Sequence, residues 1–365
     1  MRVLVAMSGG VDSSVAAVLL KKAGHEVIGL TMKTWSYESA DLPKRKNTGC
    51  CNLDDINDAR SVGVAYGFPH YVLDLREEFG QAVIEHFVSE YLAGRTPNPC
   101  ILCNTYIKWD ALLRRAKQLG CDAIATGHYA RIGQQGGRYF IRRAADLTKD
   151  QSYVLWGLSQ EVLAQTIFPL GEQTKAQTRL LAAQWGLSRV AEKKDSYEIC
   201  FIPEGDYRKF LEKKAPDLIE SLKGGPIQHV EGYIVGTHEG YPFYTIGQRR
   251  GLPALGKPHY VIDIQPETNT IVIGPEEYLH QRVLYMRDIV WHKYPSLPYE
   301  GYPVHVKIRH MDPGHTARLF TLSETRLKVV FDVGVKAITP GQAAVAYEGD
   351  DLLVGGWIER GESYA

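Results

Sequence analysis

The sequence predicts an α/β protein made of an N-terminal parallel-sheet domain, a small central β-rich domain and a C-terminal β-barrel. Three observations carry this. An apolar, β-branched run at the N-terminus breaks into Ser8-Gly-Gly-Val-Asp-Ser13 just before a helical pattern. Strands then alternate with helical patterns as far as Thr126, the signature of a parallel sheet covered on both faces. From about Gly225 the chain turns to short alternating strands with Gly turns, and from about Val283 it is almost wholly β, in the regular spacing of a small barrel.

The first stretch, Arg2–Ser14, reads as strand, anion-binding loop and helix. Gly9 and Gly10 let the backbone turn sharply and approach an anion, while Ser8, Asp12 and Ser13 sit where the N–H groups of a helix N-terminus face phosphate. The helix runs from Val11 to Lys22 and stops before Gly24. No Lys-Ser/Thr follows the second glycine, so this is not a Walker A loop. The string resembles the PP-loop of the ATP pyrophosphatases, whose fold is of the adenine nucleotide alpha hydrolase type. That resemblance implies ATP cleavage between the α and β phosphates and an adenylated substrate.

Further strands are expected at Glu26–Met32, Tyr71–Leu75 and Ala123–Thr126, and helices at Asp54–Tyr66, Glu77–Leu92, Tyr106–Leu119 and Thr174–Trp185. Ligands of such sheets sit at the carboxyl ends of the strands, so the loop after the first strand, Met32 and Thr126-Gly127-His128 should converge on one pocket. Trp35–Cys51 is polar and aperiodic and reads as an inserted lid. Pro97 and Pro99 stiffen a loop that presents Cys100 and Cys103. A lone Cys-x-x-Cys admits three readings: a redox pair, half a metal site, or two buried thiols. Lys108, Arg114, Arg115 and Lys117 form one basic face of the helix that follows, Gly133–Arg143 reads as a hairpin, and Cys200 lies in an apolar, strand-like context behind Lys193 and Lys194.

With 365 residues and 44% hydrophobic content, two or three domains with full cores are expected, here 1–205, 206–280 and 281–365. No apolar run reaches the length of a membrane span and the N-terminus runs straight into a strand, so the cytoplasm is the expected compartment and no membrane partner is expected. Six cysteines are too few for a disulfide scaffold and point to reduced, metal-binding or catalytic thiols. Zero formal charge excludes a uniformly basic nucleic-acid binder, but residues 95–149 hold ten Lys/Arg against three Asp/Glu, a local face able to meet phosphate.

Taken with Thr126-Gly-His-Tyr-Ala-Arg131, Lys149-Asp-Gln-Ser-Tyr153, Ile199-Cys-Phe201, Phe243-Tyr-Thr-Ile-Gly-Gln-Arg-Arg-Gly-Leu252, Ile338-Thr-Pro-Gly-Gln-Ala-Ala-Val345 and Leu353-Val-Gly-Gly-Trp-Ile358, the chain resembles the tRNA-specific 2-thiouridylases along nearly its whole length. The resemblance implies conversion of the wobble uridine to 2-thiouridine with ATP, Mg²⁺ and a persulfide sulfur. It places ATP on Ala6, Met7, Ser8, Gly9, Gly10, Val11, Asp12 and Ser13, with Met32 and Gly127 by the adenosine. It assigns the persulfide to Cys200 and the partner thiol to Cys103, with a transient disulfide between them. It places Asn98, Pro99 and Cys100 at the flipped base, and His128, Lys149, Asp150, Gln151, Arg309, His310 and Gln342 against the tRNA elsewhere, the barrel helping to hold it. The donor implied is a persulfide-carrying protein, a cysteine desulfurase or a sulfur carrier. Cys100 stands where a common family pattern has Asp, which admits a second arrangement: Cys100, Cys103 and Cys200 holding a [4Fe–4S] cluster. The rivals from other classes are a PP-loop synthetase that adenylates a small molecule and a non-enzymatic Fe–S or RNA-binding regulator.

Overall fold

The structure is a computed structural model describing residues 1–35, 53–193, 199–202 and 205–361. The expected lid therefore lies, beyond Trp35, outside the described residues, as do Cys50, Cys51 and Lys194. The chain forms two compact units: Met1–Val83 with Cys100–Gly205 and Asp350–Leu352, and Ile84–Pro99 with Asp206–Gly349 and Leu353–Ala365.

In the first unit β1 (Arg2–Ala6), β2 (Glu26–Lys33), β3 (His70–Asp74) and β4 (Ala123–Ala125) precede a hairpin of β5 (Arg131–Gln135) and β6 (Arg138–Arg142), and β7 (Thr166–Ile167) follows. The sheet order is β3-β2-β1-β4-β7 with every neighbouring pair parallel. Val3, Leu4 and Val5 are wholly buried, because helices cover both faces of a parallel sheet and leave no strand position for polar alternation. β3 is the edge strand, so its Tyr71 and Val72 stay exposed. Helix α1 (Val11–Lys22) buries Val15, Ala16, Ala17 and Val18, and helix α2 (Leu53–Tyr66) adds Ala59 and Val62 to the same core.

Two local expectations need correction. The Cys-x-x-Cys segment is helical rather than a loop: Pro99–Leu102 forms one helical turn and Cys103–Trp109 continues it as a π-helix into Asp110–Gln118. Proline at the start of a helix costs no hydrogen bond, so Pro99 begins the turn that its ring was expected to prevent. Ile199–Phe201 is likewise a turn and not a strand, closed by the Ile202 N–H on the Ile199 carbonyl at 2.9 Å. Its apolar character is spent on Phe201, which is buried edge-on against Phe79 with ring centroids 5.7 Å apart.

In the second unit β8 (Gly225–His229), β9 (Ile234–His238), β10 (Tyr260–Gln265) and β11 (Thr270–Gly274) make a small sheet in the order β10-β11-β8-β9. The remaining strands are β12 (His280–Trp291), β13 (Tyr302–Lys307), β14 (His315–Ser323), β15 (Arg326–Lys336), β16 (Ala343–Glu348) and β17 (Asp351–Ile358). They run in the order β12-β15-β14-β13-β16-β17, and pairing of Met286 with Ile358 and Trp291 with Val354 closes them into a six-stranded barrel. Closure removes the open edges at which strands otherwise pair with other chains. Leu284, Met286, Val306, Leu319, Val329 and Phe331 fill its interior. Among the described residues no helix is long and apolar enough to cross a membrane.

Candidate active site

The loop Met7–Gly10 leaves the carboxyl end of β1 and enters α1, with Gly10 as the N-cap residue in an extended conformation. Ser13 closes the loop: its Oγ accepts the Ser8 N–H at 3.1 Å, lies 3.2 Å from the Ser8 Oγ and donates to the Gly10 carbonyl at 3.2 Å. Gly9 has φ +73°, and a Cβ there would lie 2.2 Å from the Asp55 carbonyl oxygen of α2. The N–H groups of the first turn of α1 have no partner inside the helix and point out of its end, which together with the helix dipole makes an anion site. Gly9→Ala should therefore destabilise this loop by roughly 2–4 kcal/mol, from left-handed backbone cost plus a backbone clash. The expected result is a lower melting temperature with a KM for ATP raised at least tenfold, and an unchanged KM would show that the loop does not hold ATP.

Gly127 joins the same site. A Cβ on it would meet the Ser13 nitrogen at 2.6 Å, so the turn after β4 lies directly on the first turn of α1. Met32 sits at the carboxyl end of β2, where the neighbouring Thr31 Oγ1 donates to the Met7 carbonyl at 2.7 Å and lies 2.8 Å from the His70 Nε2. Burial lowers His70 to about 4, keeping it neutral at physiological pH. The turn after β4 thus meets the loop after β1, and Met32 stands at the carboxyl end of the neighbouring β2.

Sequence reasoning missed two residues that act on Asp12. Lys175 Nζ reaches both Asp12 carboxylate oxygens, at 2.8 and 2.7 Å, and the Tyr129 hydroxyl donates to Oδ1 at 2.8 Å. A signal existed: Lys175 is the first residue of the helix Lys175–Gln184, behind a Thr174/Gln177 capping box, where a cation opposes the helix dipole. A local rule broken at such a position marks a tertiary use.

Cys100 and Cys103 lie three apart on the helical segment and Cys200 on the turn described above. Cys100 is exposed by surface area yet densely surrounded, and that surrounding pushes its thiol up against the opposing pull of Lys108. Burial likewise holds His128 well below its ordinary range, with Lys108 acting in the same sense. His128 is thus a neutral ring, packed 5.2 Å from Trp109 and hydrogen-bonded through Nδ1 to the Thr126 Oγ1 at 2.8 Å. The described residues, which include Cys100, Cys103 and Cys200, contain no group of three His, Cys, Asp or Glu side chains that could hold a metal ion. No step is derived through a cluster.

Several residues expected at the tRNA are engaged within the fold. Asp150 is buried and accepts from the Ala144 N–H, the Ser152 N–H and the Ser152 hydroxyl. Gln151 Oε1 accepts the Tyr129 N–H at 2.9 Å. Lys149 remains half-exposed beside them. In the second unit Asn98 is half-exposed and Pro99 is buried. Gln342 there donates to the Thr96 carbonyl at 2.9 Å and the Pro97 carbonyl at 3.3 Å, and so holds the segment that leads to Asn98. β13 ends at Lys307, which leaves Arg309, His310 and Met311 exposed on the following turn. Buried Asp312 fixes that turn by accepting the Ile308 N–H at 2.9 Å and pairing with His315. Of the other barrel cations, Arg326 pairs with Glu359 and Arg318 donates to the Gly301 carbonyl.

Three family models cover the chain: the tRNA methyl transferase HUP domain over residues 1–204, the tRNA methyl transferase PRC-barrel domain over 208–275 and the aminomethyltransferase beta-barrel domain over 281–358. The tRNA-specific 2-thiouridylase MnmA of Amoebophilus asiaticus is 55% identical over 98% of this chain and 95% of its own length. The chain belongs to the tRNA-specific 2-thiouridylase family. The homologue of the same name from Salinibacter ruber is 56% identical over 98% of the chain and 94% of its own, and that of Cytophaga hutchinsonii 52% over 98% and 97%. The phosphate loop and the helical Cys-x-x-Cys lie in one unit of the chain. Family membership does not by itself explain why Asp12 is neutralised by Lys175 rather than left open.

Proposed function

We propose that this protein is an ATP-dependent tRNA 2-thiouridylase, with residues 1–205 as the catalytic domain, 206–280 as a small central domain and 281–365 as the barrel that holds tRNA. The observation that carries the reading is full-length identity above 50% to several 2-thiouridylases, joined to a glycine loop at a helix N-terminus in the same unit as Cys100, Cys103 and Cys200.

The chemistry follows from a leaving-group problem. The oxygen on uridine carbon 2 departs poorly, so it is first adenylated, which makes AMP the leaving group. Ala6–Ser13 place the α-phosphate by loop and helix N–H groups, and the Asp12 carboxylate would hold Mg²⁺, which when bound would supply charge neutralisation. Met32 and Gly127 flank the adenosine. The base, flipped out of its stack, is met by Asn98, Pro99 and Cys100. The terminal sulfur of a Cys200 persulfide then bonds carbon 2 as AMP leaves with the former carbonyl oxygen. The Cys103 thiolate attacks the Cys200 Sγ, breaking the S–S bond, so that the outer sulfur stays on the base and a Cys103–Cys200 disulfide forms. An external thiol reduces that disulfide, and a persulfide-carrying donor protein reloads Cys200. His128, Lys149, Arg309 and His310 meet the tRNA directly. Asp150, Gln151 and Gln342 act by shaping the surfaces beside them.

Incubation with ATP, a persulfide donor and undermodified tRNA tests the reading through nucleoside analysis. 2-Thiouridine formed with stoichiometric AMP supports it; AMP release without tRNA points to a small-molecule synthetase, and no ATP turnover to a binding protein. Cations that meet tRNA phosphates release counterions, so affinity should fall steeply between 50 and 200 mM salt. Filter binding across that range checks this, and a flat response would remove the phosphate contacts from the reading.

A further inference from the structure

The motif Phe243–Leu252 has no task in the reading above, and neither has the central domain that carries it. Between Glu239 and Asp263 the chain holds Arg249, Arg250 and Lys257 and no acidic residue. Asp263 does not answer these charges, because its carboxylate is taken by Arg360 at 3.1 and 3.0 Å. All three cations are exposed, and among the described residues neither guanidinium of the arginine pair has an ion-pair or hydrogen-bond partner. Other cations of the same unit are paired: Lys223 with Glu220, Lys336 with Glu276 and Arg326 with Glu359.

The backbone beneath the two arginines is fixed. Gln248 braces the turn from inside, its Oε1 accepting the Thr245 N–H at 3.2 Å and its Nε2 donating to the Arg250 carbonyl at 2.9 Å. The Gly247 N–H donates to the Val261 carbonyl at 2.8 Å and the Val261 N–H to the Gln248 carbonyl at 2.9 Å, which ties the turn to β10. Gly247 and Gly251 flank it at φ +85° and +79°, in the left-handed region that favours glycine. The rest of the loop is held as well: a Cβ on Gly236 of β9 would stand 3.2 Å from Pro253 Cγ, and the Lys257 carbonyl accepts from His259 Nδ1 at 2.9 Å. An arginine that serves only solubility needs no braced backbone. A guanidinium that recognises phosphate gains from one, because its planar fork meets two oxygens in a set orientation and a fixed origin lowers the ordering cost of binding.

We propose that the Arg249–Arg250 turn is a contact site for the phosphate backbone of tRNA, with Lys257 adding to its field, so that the central domain takes part in holding the substrate. This rests on the thiouridylase reading above. With a formal charge of zero over the whole chain, affinity for a polyanion has to come from local patches of this kind. Phosphate contacts position a nucleic acid without reading its sequence, so the turn serves every substrate tRNA alike and leaves the chemistry at the cysteines untouched.

The test is filter binding of undermodified tRNA to the full-length protein carrying Arg249→Gln and Arg250→Gln together, between 50 and 200 mM salt, beside steady-state thiolation. Affinity is expected to fall at least tenfold, and the slope of log affinity against log salt to become shallower by about 1.5, the counterion release of two phosphates. The KM for ATP and the rate at saturating tRNA should stay within twofold, and the melting temperature should not move. The pair Arg249→Lys and Arg250→Lys keeps the charge and should restore affinity to within about threefold of the wild type. Unchanged tRNA affinity overturns the proposal, and so does a loss of affinity that leaves the salt slope as it was. Wild-type affinity for tRNA joined to a raised KM for the persulfide-carrying donor protein would overturn it in favour of a protein partner. A wild type that forms no 2-thiouridine would refute the thiouridylase reading itself, a result distinct from an active, salt-sensitive wild type beside an equally tight Gln variant.

Discussion

Cys103→Ser and Cys200→Ser should each abolish thiolation, by about 10³-fold or more, while AMP formation in the presence of tRNA survives. Losses of that order follow when a nucleophile is removed outright, because oxygen in place of sulfur neither carries a persulfide nor attacks one. The two variants should also fail at different points. Cys200→Ser cannot be loaded by a persulfide donor, whereas Cys103→Ser loads and then stalls, so mass spectrometry should find one extra sulfur on the second protein and none on the first. Cys100→Ser should be mild, within about threefold: its thiol is held up by its surroundings and is a poor thiolate at neutral pH, which suits a wall of the base pocket and not a nucleophile. Active protein purified without iron is expected for the wild type and for Cys100→Ser. Joint loss of iron and activity in Cys100→Ser would instead restore the cluster.

What the sequence made legible and what it hid follow from the range of the forces involved. The phosphate loop, the parallel sheet and the closed barrel are written in local periodicity and in glycines whose need for a left-handed or Cβ-free backbone is intrinsic, as at Gly9 and Gly127. The cysteine segment was misread because its local signals conflict. Pro97 and Pro99 say loop, yet a proline is welcome at the first helical position, and only tertiary packing of Ile101, Leu102 and Ile107 decides for the helix. Lys175 and Tyr129 were missed for a different reason. They act on Asp12 from 163 and 117 residues away, and nothing in a local window distinguishes a lysine that will grip Asp12 from one that will face water. The same holds for Asp150 and Gln342: their family motif marks them, but only the structure shows that their polar atoms are spent on Ala144, Ser152, Thr96 and Pro97.

Asp12→Asn should reduce AMP formation by two to three orders of magnitude while leaving tRNA affinity within about twofold, and the reason is the company Asp12 keeps. Its carboxylate is an internal anion, gripped through both oxygens by Lys175, which is only 12% exposed, and capped by the Tyr129 hydroxyl, itself 2.9 Å from the Thr178 Oγ1. Placing ATP on the neighbouring N–H groups would bring several negative charges to this pair; Lys175 would then be free to turn toward phosphate, and the Asp12 carboxylate would be able to hold a metal ion that neutralises charge beside it. Asparagine keeps the shape but not the charge, so the exchange fails on its anionic side and Lys175 is left partly buried without a full counter-charge. For a wholly buried pair that loss costs about 3–5 kcal/mol; Asp12 is one-third exposed, so solvent screening reduces it well below that range. The decisive measurement is a double-mutant cycle with Lys175→Met, scored on AMP formation per ATP bound. If the two side chains exchange partners as one device, each single variant should lose nearly as much as the double, a coupling of about 2 kcal/mol or more. Additive losses would mean that Asp12 and Lys175 serve ATP independently and that their contact with each other is only a resting place for two charges.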